Sequence, residues 1–212
     1  MNALYDIAPC TLLDFPGVPA AIFWFAGCNL RCSYCYNPEI VFSHAKISQQ
    51  EAMAFLQKRK ELLEGVVLSG GEATLYPRIE EFAAKIKNLD FKIKLDTNAT
   101  RPKELQKLLD GSLLDYVALD YKGLGGLNEE LFWESYRVLA QSGIDFEVRT
   151  TYHSRLIPKE DLLGMYEKLV QIGYKKEFYV QLVRSNIPTI GDIQEDSMRD
   201  FRWIESFATL RA

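Results

Sequence analysis

Short apolar runs alternate with amphipathic stretches along this 212-residue chain. Residues 20–25 read Ala-Ala-Ile-Phe-Trp-Phe, an unbroken run too short for a helix, which predicts a buried strand. Similar short runs predict strands over 66–69, 91–96, 116–120, 146–151 and 178–183. Helical periodicity fills the intervals and predicts helices over 48–63, 77–88, 102–109, 129–141, 159–172 and 197–210. Boundary residues agree: Ser48 and Glu51 are set as a capping box, and Pro77 suits a first turn. Gly143 and Gly173 close two helices, and Asp196 is placed to cap the last. Six strands, each followed by a helix or crossover, predict an α/β fold with a parallel sheet and right-handed connections. The chain is shorter than the ~250 residues of a full eight-unit barrel. A partial, open (β/α)6 TIM-like barrel fits the length, with residues 1–212 as a single domain; periodicity alone also allows an open doubly wound sheet. The glycine-rich stretch 123–126 reads as a mobile loop.

Composition changes this picture little. The chain is 48% hydrophobic and 25% charged with a formal net charge of -4, which argues against a bulk nucleic-acid binder. No apolar run approaches the roughly 20 residues that span a bilayer. The first residues lack the basic start and apolar core of a signal peptide. The expectation is a cytoplasmic protein with no nucleic-acid or membrane partner.

Cysteine usage changes it a great deal. Of four cysteines, Cys28, Cys32 and Cys35 stand together in the loop 26–39, spaced C-x3-C-x2-C, directly after the first predicted strand. In a reducing compartment such a trio reads as ligands rather than disulfides. A 4Fe–4S cube needs one ligand per iron, so three cysteines leave the fourth iron open to a small molecule. Zinc is the rival. Structural zinc takes a fourth Cys or His nearby, and neither His44 nor His153 completes a second knuckle, while Cys10 lies far upstream. Cys10 reads as a small hydrophobe.

The remaining unusual residues fall at the carboxyl ends of the predicted strands, where parallel α/β folds bind ligands. These are Ser69, Gly70, Gly71 and Glu72; then Asp96, Thr97 and Asn98; then Asp120 and Lys122; then Arg149, Thr150 and Thr151; and last Gln181 and Arg184. Singly, each has a plain reading. Gly70-Gly71 is a turn or a backbone that lets a ligand approach closely. Asp96 is a cap, and Asp120 with Lys122 a surface ion pair. Their gathering on one rim beside the cysteines points to a single site. Tyr34, inside the cysteine loop, would shield it from water.

Those residues match a known pattern. The chain resembles the radical S-adenosylmethionine (SAM) enzymes, whose signature is C-x3-C-x-aromatic-C, here with Tyr34 as the aromatic. Within them it resembles the glycyl-radical-enzyme activases, and most of all those of anaerobic ribonucleoside-triphosphate reductase. The supporting segments are Leu12-Leu13-Asp14-Phe15-Pro16-Gly17, Cys35-Tyr36-Asn37-Pro38-Glu39, Ser69-Gly70-Gly71-Glu72, Leu95-Asp96-Thr97-Asn98 and Arg149-Thr150-Thr151. The resemblance implies that Cys28, Cys32 and Cys35 hold three irons of a 4Fe–4S cluster, and that the methionine end of S-adenosylmethionine (AdoMet) chelates the fourth. It implies that Ser69, Gly70, Gly71 and Glu72 meet the methionine amino group and that Lys122 faces its carboxylate. Tyr34, Asn98, Arg149, Thr151, Gln181 and Arg184 would line the cofactor or substrate cleft. Asp96, Thr97 and Asp120 match positions that hold a monovalent cation, Na+ or K+. The implied activity is an oxidoreductase that makes a 5′-deoxyadenosyl radical and passes it to a glycine of a partner enzyme, anaerobic ribonucleotide reductase first among candidates. A one-electron donor such as flavodoxin or ferredoxin would reduce it. A radical SAM enzyme acting on a small molecule or peptide is the alternative, and a zinc-stabilised binding module with no catalysis a second. Many relatives have His at the position of Tyr36 and others Gly at that of Ala99. The sixth predicted strand lacks a histidine that some activases carry, and no cysteines remain for additional ferredoxin-like clusters.

Overall fold

In the computed structural model, residues 2–123, 126–184, 187–198 and 200–211 are described. Leu124 and Gly125, from the glycine-rich stretch expected to be mobile, lie outside them, as does Arg199 within the last predicted helix. The chain opens with an unpredicted strand, β1 (Asn2–Thr11), antiparallel to β2 (Ala20–Phe25). A two-residue β3 (Ile47–Ser48) pairs with the other side of β1. The predicted strands then follow as β4 (Gly65–Gly70), β5 (Lys92–Thr97), β6 (Tyr116–Asp120), β7 (Asp145–Tyr152) and β8 (Phe178–Leu182). From β2 to β8 every pairing is parallel. The sheet order is β3-β1-β2-β4-β5-β6-β7-β8-β9, where β9 (Thr209–Arg211) is a seventh parallel strand. The α/β fold with a mostly parallel sheet therefore stands, extended at both ends.

The helices sit in the predicted crossovers. After a short α1 (Pro38–Phe42) come α2 (Gln49–Arg59), α3 (Ile79–Lys87), α4 (Pro102–Asp110), α5 (Gly126–Ser142) and α6 (Lys159–Gln171). The Ser48–Glu51 capping box forms in full. Pro77 lies in the turn before α3, whose N-cap is Arg78. The helix expected over 197–210 is absent from the described residues. A 3-10 turn (Arg202–Ser206) and β9 take its place. Asp196 does not cap a helix there. Its carboxylate accepts from the Ser154 backbone N–H (2.6 Å), the Ser154 hydroxyl and the Met198 backbone N–H (2.9 Å), which ties it to the end of β7. Trp203 and Phe207 pack instead on Tyr152 and Tyr166, and this aromatic packing decides the local structure over helix propensity.

Alternation along the strands separates two faces. Phe23, Leu68, Ile93, Leu95, Val117, Leu119, Val148 and Val180 are fully buried, packed with Phe82, Leu108, Phe132, Leu162 and Met165 of the helices. Each such side chain contributes about 1.5–3 kcal/mol by leaving water. Intervening positions point the other way and include Ser69, Lys94, Asp96, Asp120, Glu147, Arg149 and Gln181. Below them a small apolar group, Phe15, Val18, Ala20, Ile22 and Val67, fills the amino-terminal end of this second face.

Candidate active site

The cleft on the second face is built where strands end. β2 runs into the cysteine loop, and the β4 turn packs directly against it. Gly71 N–H donates to the Phe25 carbonyl and Glu72 N–H to the Gly27 carbonyl, both at 2.9 Å. A Cβ on Gly71 would lie 1.8 Å from the Gly27 carbonyl oxygen, so only glycine permits this approach. Gly70 has φ +114, a second position that demands glycine. Cys28, Cys32 and Cys35 are all unpaired, partly buried, and open on one cavity. The Leu30 backbone N–H (3.4 Å) and the Asn98 side-chain amide (3.7 Å) point at Cys28 Sγ. Burial pushes the Cys28 thiol up, and the Leu30 hydrogen bond only partly opposes it. Metal binding there would release a proton.

The same cavity is lined by Tyr34, Ser69, Gly70, Gly71, Asp96, Thr97, Asn98, Asp120, Lys122, Arg149, Thr151, Gln181 and Arg184. Of the strand-end residues singled out from sequence, Glu72 and Thr150 are not on its wall; Thr150 is buried and its hydroxyl donates to the Tyr121 carbonyl at 2.7 Å. Glu72 is 1% exposed and its carboxylate faces inward. It accepts from Thr74 N–H, Thr74 Oγ1 (2.6 Å), Thr97 Oγ1 (2.9 Å) and Asn98 N–H (2.7 Å). Burial raises its pKa while these donors oppose the rise. Its side chain braces the β5 turn and so fixes Asn98, rather than reaching into the cleft. In that turn Ala99 holds φ +64, a conformation that favours glycine.

An ionic lattice crosses the middle of the cleft. Arg149 bridges two carboxylates, with Nε 2.5 Å from Asp120 Oδ1 and an Nη 3.3 Å from Asp96 Oδ2. Lys94 takes Asp96 Oδ1 at 2.7 Å, Ser69 donates to Asp96 Oδ2 at 3.1 Å, and Lys122 lies 3.2 Å from Asp120 Oδ2. Burial alone would raise the Asp96 pKa, but Arg149 and Lys94 hold it down to about 2. Asp120 is likewise lowered against burial, by Arg149 and Lys122. Burial would pull the Lys122 ammonium down, yet the Asp120 carboxylate lifts it above the usual lysine range. Lys122 also stands 5.6 Å from the Tyr34 ring centre.

Every oxygen of Asp96 and Asp120 thus has a basic partner, and with Glu147 and Arg211, which join the lattice through Arg149, four cations (Lys94, Lys122, Arg149, Arg211) face three carboxylates. Asp96 and Asp120, two of the three residues expected to hold a cation, are paired with Arg149, Lys94 and Lys122 in this arrangement, while the third, Thr97, donates its hydroxyl to Glu72 at 2.9 Å. The excess positive charge suits an anion, such as the carboxylate of an amino acid. The three cysteines do fit a cluster, since all three line one cavity together with Gly70 and Gly71.

Sequence reasoning missed part of the lattice. Glu147 is 3% exposed and meets Arg211 at 3.1 Å and Arg149 at 3.9 Å. Lys94 is 2% exposed. A signal was present: Lys94 stands two residues before Asp96, and Glu147 two before Arg149, so each shares its neighbour's face of the strand. Arg211 reaches the lattice only because β9 (Thr209–Arg211) forms where the segment was expected to end a helix at 210. Asp14 and Trp24 also line the cavity.

A sequence profile described as the radical SAM superfamily matches residues 22–131, and the chain belongs to that superfamily. Among curated proteins, a Methanocaldococcus jannaschii protein provisionally named as a glycyl-radical enzyme activating enzyme is 29% identical over 177 residues, covering 76% of this chain and 73% of its own. The pyruvate formate-lyase-activating enzyme of Clostridium pasteurianum is 28% identical over 162 residues, covering 70% and 68%. Among solved structures, Streptococcus suis SuiB bound to S-adenosylmethionine superimposes with a TM-score of 0.67 at 16% identity, over 88% of this chain and 45% of that one. This last likeness shows the fold, and the chain spans less than half of SuiB. Superfamily membership implies AdoMet and a 4Fe–4S cluster. Among the described residues, no helix is long and apolar enough to cross a membrane.

Proposed function

We propose that this chain is a radical SAM activase, one domain over residues 1–212, that installs a glycyl radical on a partner enzyme. Anaerobic ribonucleotide reductase is the first candidate partner, flavodoxin or ferredoxin the electron donor, and the cytoplasm the setting. The observation that carries the reading is the convergence of Cys28, Cys32 and Cys35 with Lys122 and Arg149 on one cavity, in a chain similar over most of its length to two proteins named as activating enzymes, while shorter matches reach 7-carboxy-7-deazaguanine synthases.

The residues divide the work. Cys28, Cys32 and Cys35 would hold three irons and leave one for the cofactor. The Gly70-Gly71 turn lets its backbone meet the methionine amino group, with Ser69 beside it. Lys122 and Arg149 would receive the carboxylate, their surplus charge already in place, so orientation costs little reorganisation. Thr151, Gln181 and Arg184 line the side of the cleft toward the substrate. Tyr34, with burial raising its phenol above the usual range despite Lys122, stays neutral and keeps water from the cysteine loop. When bound, the cluster and AdoMet supply one-electron cleavage of the sulfonium and a 5′-deoxyadenosyl radical.

The test is anaerobic mixing of reduced protein, AdoMet and a candidate reductase, read by electron spin resonance. The expected result is a glycyl radical doublet with one 5′-deoxyadenosine formed per radical. Many turnovers on a small molecule without any partner would replace this reading with the small-molecule alternative. Zinc instead of iron in anaerobically prepared protein would end both.

A further inference from the structure

We infer that residues 189–196 form a strap that completes the cysteine loop from the far end of the chain, with Gly191 and His153 as positioning residues for the iron-binding thiols. This rests on the cluster reading above and adds to it a segment that no cysteine motif contains.

The strap makes a backbone clip around Tyr34. Ile190 N–H donates to the Cys35 carbonyl at 3.0 Å and Gly191 N–H to the Ser33 carbonyl at 2.8 Å. Contact is close: a Cβ on Gly191 would lie 2.6 Å from Ser33 Cβ and 3.0 Å from its Cα. Any side chain there must push the strap off the loop. The strap is self-braced, with Ile193 N–H on Thr189 Oγ1 at 2.8 Å and Asp192 N–H on the Thr189 carbonyl at 3.1 Å.

Its other end is locked by His153, just past β7 and 2% exposed. The Arg155 backbone N–H reaches His153 Nδ1 at 3.2 Å, so that nitrogen must accept. Nε2 therefore carries the proton and donates to the Gln194 carbonyl at 3.0 Å. Beside it, Ser154 N–H and hydroxyl grip Asp196. The chain of contacts runs from β7 through His153 to the strap, and from the strap to the peptide units on either side of Tyr34. The loop's opening end is held separately, by Gly27 N–H on the Ile40 carbonyl at 2.9 Å. Loss of the strap should therefore loosen Cys35 and leave Cys28 in place. Outer-shell partners of this kind typically change metal retention about 10–100-fold.

The experiment compares wild type, Gly191→Val, His153→Leu and His153→Gln, the last restoring an Nε donor at nearly the same reach. In metal-free protein, iodoacetamide labelling is followed at each cysteine by peptide mass spectrometry, with exposed Cys10 as internal reference. In reconstituted protein, iron release to a chelator and the spin-resonance signal of the reduced cluster are followed. Gly191→Val is expected to speed Cys35 labelling and iron release about tenfold, with Cys28 labelling and melting temperature unchanged. His153→Leu should move the same way and His153→Gln should return toward wild type. Wild-type labelling and iron release in a folded Gly191→Val protein overturn the inference. If that variant does not fold, equal behaviour of His153→Leu and wild type overturns it. Should wild type bind no iron, the cluster reading fails, while the labelling arm still decides the strap.

Discussion

The two faces of the parallel sheet are made by alternate residues of the same strands, yet they follow opposite rules. On the helix-covered face Leu68, Leu95, Leu119 and Val148 are fully buried and apolar. One residue along, the cleft face carries Ser69, Asp96, Asp120 and Arg149, nearly as buried but charged or polar, and satisfied by one another and by Lys94 and Lys122. The first face gains stability from every side chain independently. The second gains little net stability, since desolvation offsets the ion pairs. What it gains is a preset charge pattern aimed into a cavity. A strand can serve both ends because its side-chain period is two.

The sharpest way to break this contrast is Arg149→Ala. It leaves Asp96 and Asp120 facing each other without their shared cation, and should cost about 3–5 kcal/mol in urea denaturation. AdoMet affinity should also fall at least about tenfold. Unchanged stability would mean that the lattice is not a buried unit. Leu68→Ala, directly adjacent to Ser69 but on the other face, should cost about 2–5 kcal/mol with no change in AdoMet affinity of the folded protein, measured by equilibrium dialysis. A matching loss of affinity would show the faces to be coupled. The smallest effect is in the pH profile. Asp96 is depressed to about 2 in the folded state, against about 3.9 unfolded. Its ionisation stabilises the protein fully above about pH 4 and this is lost as pH falls toward about 2. Asp96→Asn should therefore be less stable than wild type at pH 6 and show a shallower acid decline. Parallel stability curves from pH 6 to pH 2 would contradict that.

Much of the fold could be read in advance where a segment's own pattern dominated. The apolar runs of β2 and β6 were found with their boundaries, and the Ser48–Glu51 box marked α2. Failures occurred where distant packing overrode local signals. β1 alternates weakly because only part of it is buried. The 197–210 segment looks helical, yet it follows Tyr152, Tyr166 and β8. The cysteine trio and the strand-end residues were legible because their spacing is local. Glu72 was legible as notable but not as a brace, since only the turn geometry shows which way its carboxylate faces.

By itself, the order of residues determined the alternation of strand and helix, the position of three close thiols, and which polar groups reach the carboxyl edge of a parallel sheet. Between β2 and β8 these follow from local periodicity and spacing. Tertiary structure alone decided that Arg149 spans Asp96 and Asp120, and that residues 189–196 return to close the loop around Tyr34. Those contacts join positions far apart in the chain, and their geometry depends on the packing of every strand between them.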